Sequence, residues 1–264
     1  MGIINTTPDS FYDGATSKKT DNILKMVEQM LHAGASFLDI GGYSSRPNAK
    51  DISEDEEIQR VLPAITAISN NFPEAILSID TYRSKVASEA IGAGAAIIND
   101  ISAGFLDPQM LPLVAKLKVP YIMMHMRGTP KTMQSDKNTD YKNIITDIFY
   151  YFTERIAKAR VLGINDIIID VGFGFAKTQK QNYILLDQLD VFEKLEVPIL
   201  TGISRKSMVY KTLGITPTEA LNGTTLLHGI ALQKGSNILR VHDVKEAIQC
   251  IQLIQELPSF KENA

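Results

Sequence analysis

Apolar runs of three to five residues recur along the chain, each followed by a polar or glycine-rich turn and then by a helical pattern. The runs are Met1 to Ile4, Phe37 to Ile40, Ala75 to Ile79, Ala95 to Ile98, Tyr121 to Met124, Asp166 to Ile169, Pro198 to Leu200 and Asn237 to Leu239. Short runs that are apolar on both faces are what parallel strands covered by helices require. Between them, Asn22 to His32 places Ile23, Leu24, Val27, Met30 and Leu31 on one helical face. Ser53 followed by Glu56 reads as a capping box that opens a helix to about Asn70. Gly34, Gly94, Gly163 and Gly235 each stand just before a strand, where a helix C-cap wants glycine. Eight such units in 264 residues give roughly 33 residues per unit. A doubly wound sheet would more often carry a glycine fingerprint after its first strand. Here that turn is Asn5 to Ser10, so the expected fold is an α/β (β/α)8 barrel, read as a single domain over residues 1–264.

Composition narrows the class. Apolar residues make up 44% and charged residues 22%, ordinary for a globular chain with a sizeable core. A net charge of −3 shows no basic stripe, so no nucleic-acid partner is expected. The single cysteine, Cys250, excludes an internal disulfide and is expected to be a buried inert thiol. No apolar run reaches the ~20 residues of a membrane span. Polar Asn5 to Ser10 follows the apolar start too soon for a signal peptide, so the expected site is the cytoplasm.

The polar residues fall at the ends of the runs, where a barrel keeps its chemistry. They are Asn5, Asp39, Asp80, Asn99 with Asp100, His125 with Arg127, Asp170, Ser204-Arg205-Lys206, and Arg240 with His242. Cations after strands 7 and 8 make an anion site, so the expected ligand carries phosphate. Some of these residues have plain structural readings. Asp80 and Asp100 could cap helices, and Asp243 is expected to cap the last one. Arg205 reads as structural or rim, and His32 and His228 as packed or surface residues. Asn182, Tyr183 and the charges from Lys177 to Lys180 read as a solvated loop and helix start. There is no cysteine pair and no H-x-x-x-H, so a tightly held zinc is not expected. Mg²⁺ delivered with a phosphate ligand needs few protein oxygens. The segments Pro8 to Gly14 and Ser44 to Asn48 are expected to act as lids.

Taken together, these segments resemble the dihydropteroate synthase family over essentially the whole chain. The match rests on Met-Gly-Ile-Ile-Asn-x-Thr-Pro-Asp-Ser-Phe at 1–11, Asp-Ile-Gly-Gly at 39–42 with Ser-Ser-Arg-Pro at 44–47, Ser-Ile-Asp-Thr at 78–81 and Ile-Asn-Asp-Ile at 98–101. It continues with Met-His-Met-Arg-Gly-Thr-Pro at 124–130, Gly-Phe-Gly-Phe at 172–175, Gly-Ile-Ser-Arg-Lys at 202–206 and Arg-Val-His-Asp at 240–243. Each is weak alone, and eight in order are specific.

The resemblance implies that 6-hydroxymethyl-7,8-dihydropterin diphosphate and 4-aminobenzoate are joined, with release of pyrophosphate. It implies pterin binding by Asp80, Asn99, Met123, Asp170, Phe173 and Lys206. It implies pyrophosphate binding by Asn5, Arg46, Arg240 and His242, with Asn5 also a Mg²⁺ ligand. Phe11, Ser45, Pro47, Lys206 and Ser207 would line the aminobenzoate pocket. Lys206, Asp80, Asp170 and Arg240 would act in catalysis, with Asp9 and Asp13 on the first loop. A homodimer is also implied.

Family members usually have Thr at the place of Ser45, Pro at Val171, Gly at Ala176 and a second Gly at Ala15, and carry residues upstream of the first strand. Two other readings share the fold: a pterin domain presenting methyltetrahydrofolate to a corrinoid protein, and a non-catalytic pterin-binding paralogue. The first has no use for Arg46, Arg240 and His242. The second would show damage at Lys206, Arg240 or the first loop, and these are intact.

Overall fold

A computed structural model describes residues 1–6, 16–44 and 51–258. The strands are β1 (Gly2–Asn5), β2 (Phe37–Gly41), β3 (Ile76–Asp80), β4 (Ile97–Asp100), β5 (Tyr121–Met124), β6 (Ile167–Asp170), β7 (Ile199–Thr201) and β8 (Ile238–Leu239). The helices are α1 (Thr16–His32), α2 (Glu54–Asn71), α3 (Ser84–Gly92), α4 (Met110–Leu117), α5 (Asp136–Thr139), α6 (Ile144–Val161), α7 (Gln179–Asp187), α8 (Ser207–Leu213), α9 (Leu221–Gln233) and α10 (Val244–Gln255). Strand order follows sequence order, β1 to β8, with helices between: the (β/α)8 class. Each apolar run forms a strand. β1, β2, β3, β6 and β7 run one residue further than their apolar runs and take in Asn5, Gly41, Asp80, Asp170 and Thr201, and β4 runs two further, to Asp100.

The chain groups into two compact units, Met1–Met124 with Ile156–Ile167, and His125–Arg155 with Ile168–Ala264. In the first, β1 to β5 pair in parallel, in registers such as Asp39 with Ser78 and Asp80 with Asn99. Its core is Ile4, Leu38, Ile40, Leu77, Ile79 and Ile98 from the strands, against Val61, Ile65, Ile68 and Val86 from α2 and α3. In the second, β6 pairs with β7 and β7 with β8. Phe152 and Phe192 meet edge to face with centroids 6.4 Å apart. Leu185, Leu189, Ile199 and Leu200 are also buried in that unit.

Local signals explain the helix ends. Gly34, Gly94, Gly163 and Gly235 all have positive φ. At each, the next residue's N–H bonds a carbonyl five residues back, as in Ala35 to Met30 and Ser236 to Ala231. That is the Schellman arrangement, and glycine meets its left-handed requirement without a Cβ penalty. The Ser53 hydroxyl accepts the Glu56 N–H at 3.1 Å. The reciprocal half of the expected capping box is missing, because the Glu56 carboxylate pairs with Arg60 at 2.6 Å instead. Four acidic residues in the first turn of α2 suit its dipole. Cys250 is buried as expected. Among the described residues, no helix is long and apolar enough to cross a membrane.

Candidate active site

In the first unit the polar strand ends come from β1 to β4. Asn5, half-buried, closes β1, and Asp80, also half-buried, closes β3 opposite Gly41 and Asn99. Asn99 is buried and donates from Nδ2 to Asp39 Oδ2 at 3.0 Å. A carboxylate can only accept, so this bond fixes which way the Asn99 amide points and turns its carbonyl oxygen away from Asp39. Asp100 does something different. Its buried carboxylate takes the Ser102 N–H and hydroxyl, the Gly104 N–H and the Tyr121 hydroxyl. It therefore ties the turn after β4 rather than facing a ligand. Burial pushes its pKa up, and those bonds pull it back. Met123, in β5, has no exposed surface.

In the second unit the chemistry gathers around Gly172 to Phe175. Asp170 closes β6 and accepts the Gly172 N–H at 2.8 Å. Lys206, the cap residue of α8, donates to the Phe173 carbonyl at 2.6 Å. Its ammonium lies 4.9 Å from the centre of the Phe175 ring. Gly202 lies under both groups: a Cβ there would stand 3.6 Å from Lys206 Nζ and 3.8 Å from Asp170 Oδ2. A longer side chain at that position would enter the space they share. Burial pushes the Asp170 pKa up, while Lys206, the Gly172 N–H, Arg240 and Lys177 pull it down. Phe173 contributes its carbonyl, and its ring has no exposed surface.

This loop is pinned on every side. Lys177 Nζ donates to the Gly172 and Phe175 carbonyls, both at 2.9 Å, and lies 3.0 Å from His125 Nδ1. Asn182 accepts the Gly174 N–H at 2.7 Å, and Gln134 donates to the Gly174 carbonyl at 2.8 Å. At Gly172, with φ of 72°, a Cβ would collide with the His125 carbonyl, so only glycine fits. Lys177 and Asn182 are both buried, which overturns the solvated reading for these two, while Thr178 to Lys180 are exposed. The helix start holds as well, as a full Thr178–Gln181 capping box. Burial pushes the Lys177 pKa well below the lysine range, with Asp170 opposing and Lys206 and Arg127 adding to the fall. Burial likewise holds His125 well below the histidine range, helped by Lys177 and Arg127. Two carbonyls and one imidazole nitrogen satisfy an ammonium with three donors. They equally satisfy an amine that donates twice and accepts from Nδ1–H.

After β7 and β8, Ser204 and His242 meet: Ser204 Oγ lies 3.0 Å from His242 Nδ1. Arg205 forms a two-pronged ion pair with Asp243, at 2.8 and 2.9 Å, and donates to the Pro217 and Thr218 carbonyls. Arg205 is therefore structural, as expected. Asp243 stands at the N-cap of α10 but makes no side-chain cap bond, because Arg205 holds its carboxylate. Arg240 is half-buried, and Ser207 opens α8.

Of the expected site residues, Asp170, Phe173 and Lys206 are joined by direct bonds or by the shared Gly202 floor. Asp9, Phe11, Asp13, Ser45, Arg46 and Pro47 lie outside the described residues. Lys177 was read only as part of a solvated loop, and Asp39, His125 and Ser204 only as strand ends without a role. For Lys177, the available signal is its place directly after a Gly-Phe-Gly-Phe turn, which leaves buried carbonyls in need of a donor.

The family model for pterin binding enzymes matches residues 1–242. The dihydropteroate synthase of Escherichia coli K12 is 41% identical over 265 residues, covering 100% of this chain and 93% of that protein. The Yersinia pestis dihydropteroate synthase, solved with a sulfonamide drug complex, superposes with a TM-score of 0.90. It is 40% identical and covers 100% of this chain and 94% of that one. The Xanthomonas albilineans dihydropteroate synthase in complex with 7,8-dihydropteroate has a TM-score of 0.86 at 34% identity, covering 97% and 93%. In fold, in strand-end chemistry and in sequence along its whole length, the chain belongs to the dihydropteroate synthases of the pterin-binding enzyme family.

Proposed function

We propose that the chain is a transferase that joins 6-hydroxymethyl-7,8-dihydropterin diphosphate to 4-aminobenzoate, giving 7,8-dihydropteroate and pyrophosphate. The observation that carries this reading is the cradle of Asp170 and Lys206 over Gly202. A carboxylate and an ammonium set over a bare backbone suit a flat heterocycle that offers both N–H donors and a carbonyl. Asp80, Asn99 and Asp170 would read the aminopyrimidinone edge, and Lys206 the ring carbonyl or N5. Met123 and Phe173 would back the ring. Matched buried polar groups reject analogues that would leave them unpaired.

The reaction breaks the bond between the pterin methylene carbon and the diphosphate oxygen, and the electron pair leaves with pyrophosphate. The pterin spreads the resulting positive charge, and the arylamine nitrogen then forms the C–N bond and loses a proton. Arg46, Arg240 and His242 would hold the departing charge, where preorganised donors contribute most. Asp9 and Asp13 would stabilise the cation or order the loops. Phe11, Ser45, Pro47, Lys206 and Ser207 would line the aminobenzoate pocket.

Mg²⁺ fits this donor set in one way. Asn5 offers a neutral amide oxygen at the end of β1, and among the described residues no group of three or more His, Cys, Asp or Glu could hold a metal. Such a set suits an ion that keeps its waters and arrives on phosphate oxygens. When bound, Mg²⁺ would offset diphosphate charge, and Asn5 would hold it. The family resemblance further supports one domain over residues 1–264, a homodimer and a cytoplasmic place of action.

The test is to supply purified protein with Mg²⁺ and both substrates. Formation of dihydropteroate with equimolar pyrophosphate is expected. Binding of the pterin diphosphate without product would overturn the reading.

A further inference from the structure

We propose that Ser204 is a positioning residue that keeps the proton of neutral His242 on Nε2, so that this histidine presents a hydrogen-bond donor to the departing diphosphate. The inference deepens the assignment of His242 to the diphosphate and rests on it.

Ser204 follows β7 and is buried, while His242 follows β8 and is exposed. The Ser204 hydroxyl makes two contacts to this one residue. It accepts the His242 backbone N–H at 3.2 Å and lies 3.0 Å from Nδ1. Among the described residues these are its hydrogen-bond partners, and the hydrogens can be counted. A hydroxyl has one hydrogen to give. If Nδ1 carried the ring proton, Oγ would accept twice and its own hydrogen would have no acceptor among the described residues. If Nδ1 is bare, the hydroxyl donates to it while accepting from the backbone, and every hydrogen is used. A neutral imidazole then carries its proton on Nε2. The double contact also fixes the ring's rotation, because backbone and ring are tied to the same oxygen.

The choice of tautomer decides the sign of the interaction. Ionised diphosphate oxygens only accept hydrogen bonds. A protonated Nε2 attracts them, and a bare one repels them. Arg205 and Asp243 flank the two residues and are engaged with each other, so they do not compete for the Ser204 hydroxyl.

Ring ¹⁵N spectra of the whole protein, at about pH 8 where an ordinary histidine is neutral, read the tautomer directly. The His242→Gln variant assigns the signal. Wild type is expected to show the Nε2–H form, and Ser204→Ala a mixture. The affinity for inorganic pyrophosphate should fall about five- to tenfold in Ser204→Ala, a loss the size of one hydrogen bond. Ser204→Thr, which keeps the hydroxyl, should restore both signals. An Nδ1–H signal in wild type, or an unchanged tautomer in Ser204→Ala, would overturn the role of Ser204. If His242→Leu, which has no donor, bound pyrophosphate as tightly as wild type, the diphosphate assignment itself would fail, whatever the spectra showed.

Discussion

Lys177 Nζ lies 3.0 Å from His125 Nδ1, and both side chains are buried. The same nitrogen ties the Gly172 and Phe175 carbonyls, on either side of the Phe173 carbonyl that holds Lys206. A lysine that touches no substrate in the proposed scheme thus sets the position of one that does. Replacing Lys177 by Met keeps the length of the chain and removes the donors. The Phe175 carbonyl then loses its Lys177 donor, at about 1–3 kcal/mol, while the Gly172 carbonyl keeps the Phe175 N–H at 3.1 Å. Lys177→Met is expected to lower stability by about 1–3 kcal/mol in urea unfolding and to raise the KM for the pterin diphosphate. Wild-type stability with wild-type KM would remove Lys177 from the account.

Ala176, one residue before, has φ of 50°, a left-handed conformation that costs an L-residue roughly 1–2 kcal/mol. The Tyr141 hydroxyl holds its carbonyl at 2.9 Å. Glycine, which the resemblance places here, would relieve that strain but lose about 0.4–1 kcal/mol of entropy. Ala176→Gly is expected to raise stability by about 0.5–1 kcal/mol, seen as a higher melting temperature. A lower one would show that Tyr141 and the surrounding packing already offset the strain.

His228, buried in α9, has its pKa lowered to about 4 by burial, and its Nε2 has no hydrogen-bond partner among the described residues. The sign follows from proton counts. Between about 4 and the ordinary 6.5 the unfolded chain binds a proton that the folded chain refuses, so stability rises with pH. The full contribution is present above 6.5 and is lost as the pH falls to about 4, an amount on the order of 3 kcal/mol. Unfolding free energies measured from pH 7 to 4 should fall less steeply for His228→Leu by about that amount. Parallel curves for the two proteins would contradict the lowered pKa. His125 adds a slope of the same sign, so the variant should flatten the curve without levelling it.

The strands were legible because burial on both faces leaves a plain apolar run, and Tyr121 to Met124 matches β5 residue for residue. The four glycine C-caps were legible for a local reason too, since only a left-handed residue can close those turns. Lys177 was not legible. A lysine among Thr178, Gln179 and Lys180 looks solvated, and what buries it is His125, 52 residues earlier in the chain. Asp243 misled in the same way. Its place before a helix signals a cap, but Arg205, 38 residues away, takes the carboxylate. Local chemistry reads from sequence, whereas competition between distant partners does not. The grouping into two compact units left no trace either, because no linker composition marks the boundary.

The central claim is that Lys206, held by the Phe173 carbonyl beside Asp170, acts on the pterin as pyrophosphate leaves. The most direct measurement is the turnover of Lys206→Ala with saturating pterin diphosphate and 4-aminobenzoate, set beside its unfolding curve. Lys206 makes its 2.6 Å bond to one carbonyl from a half-buried position, so the variant should stay within about 1 kcal/mol of wild type in stability. Its rate of pyrophosphate release should fall by about a hundredfold or more, the cost of removing one preorganised charge from a reacting centre. A folded Lys206→Ala protein that releases pyrophosphate at the wild-type rate would contradict the account.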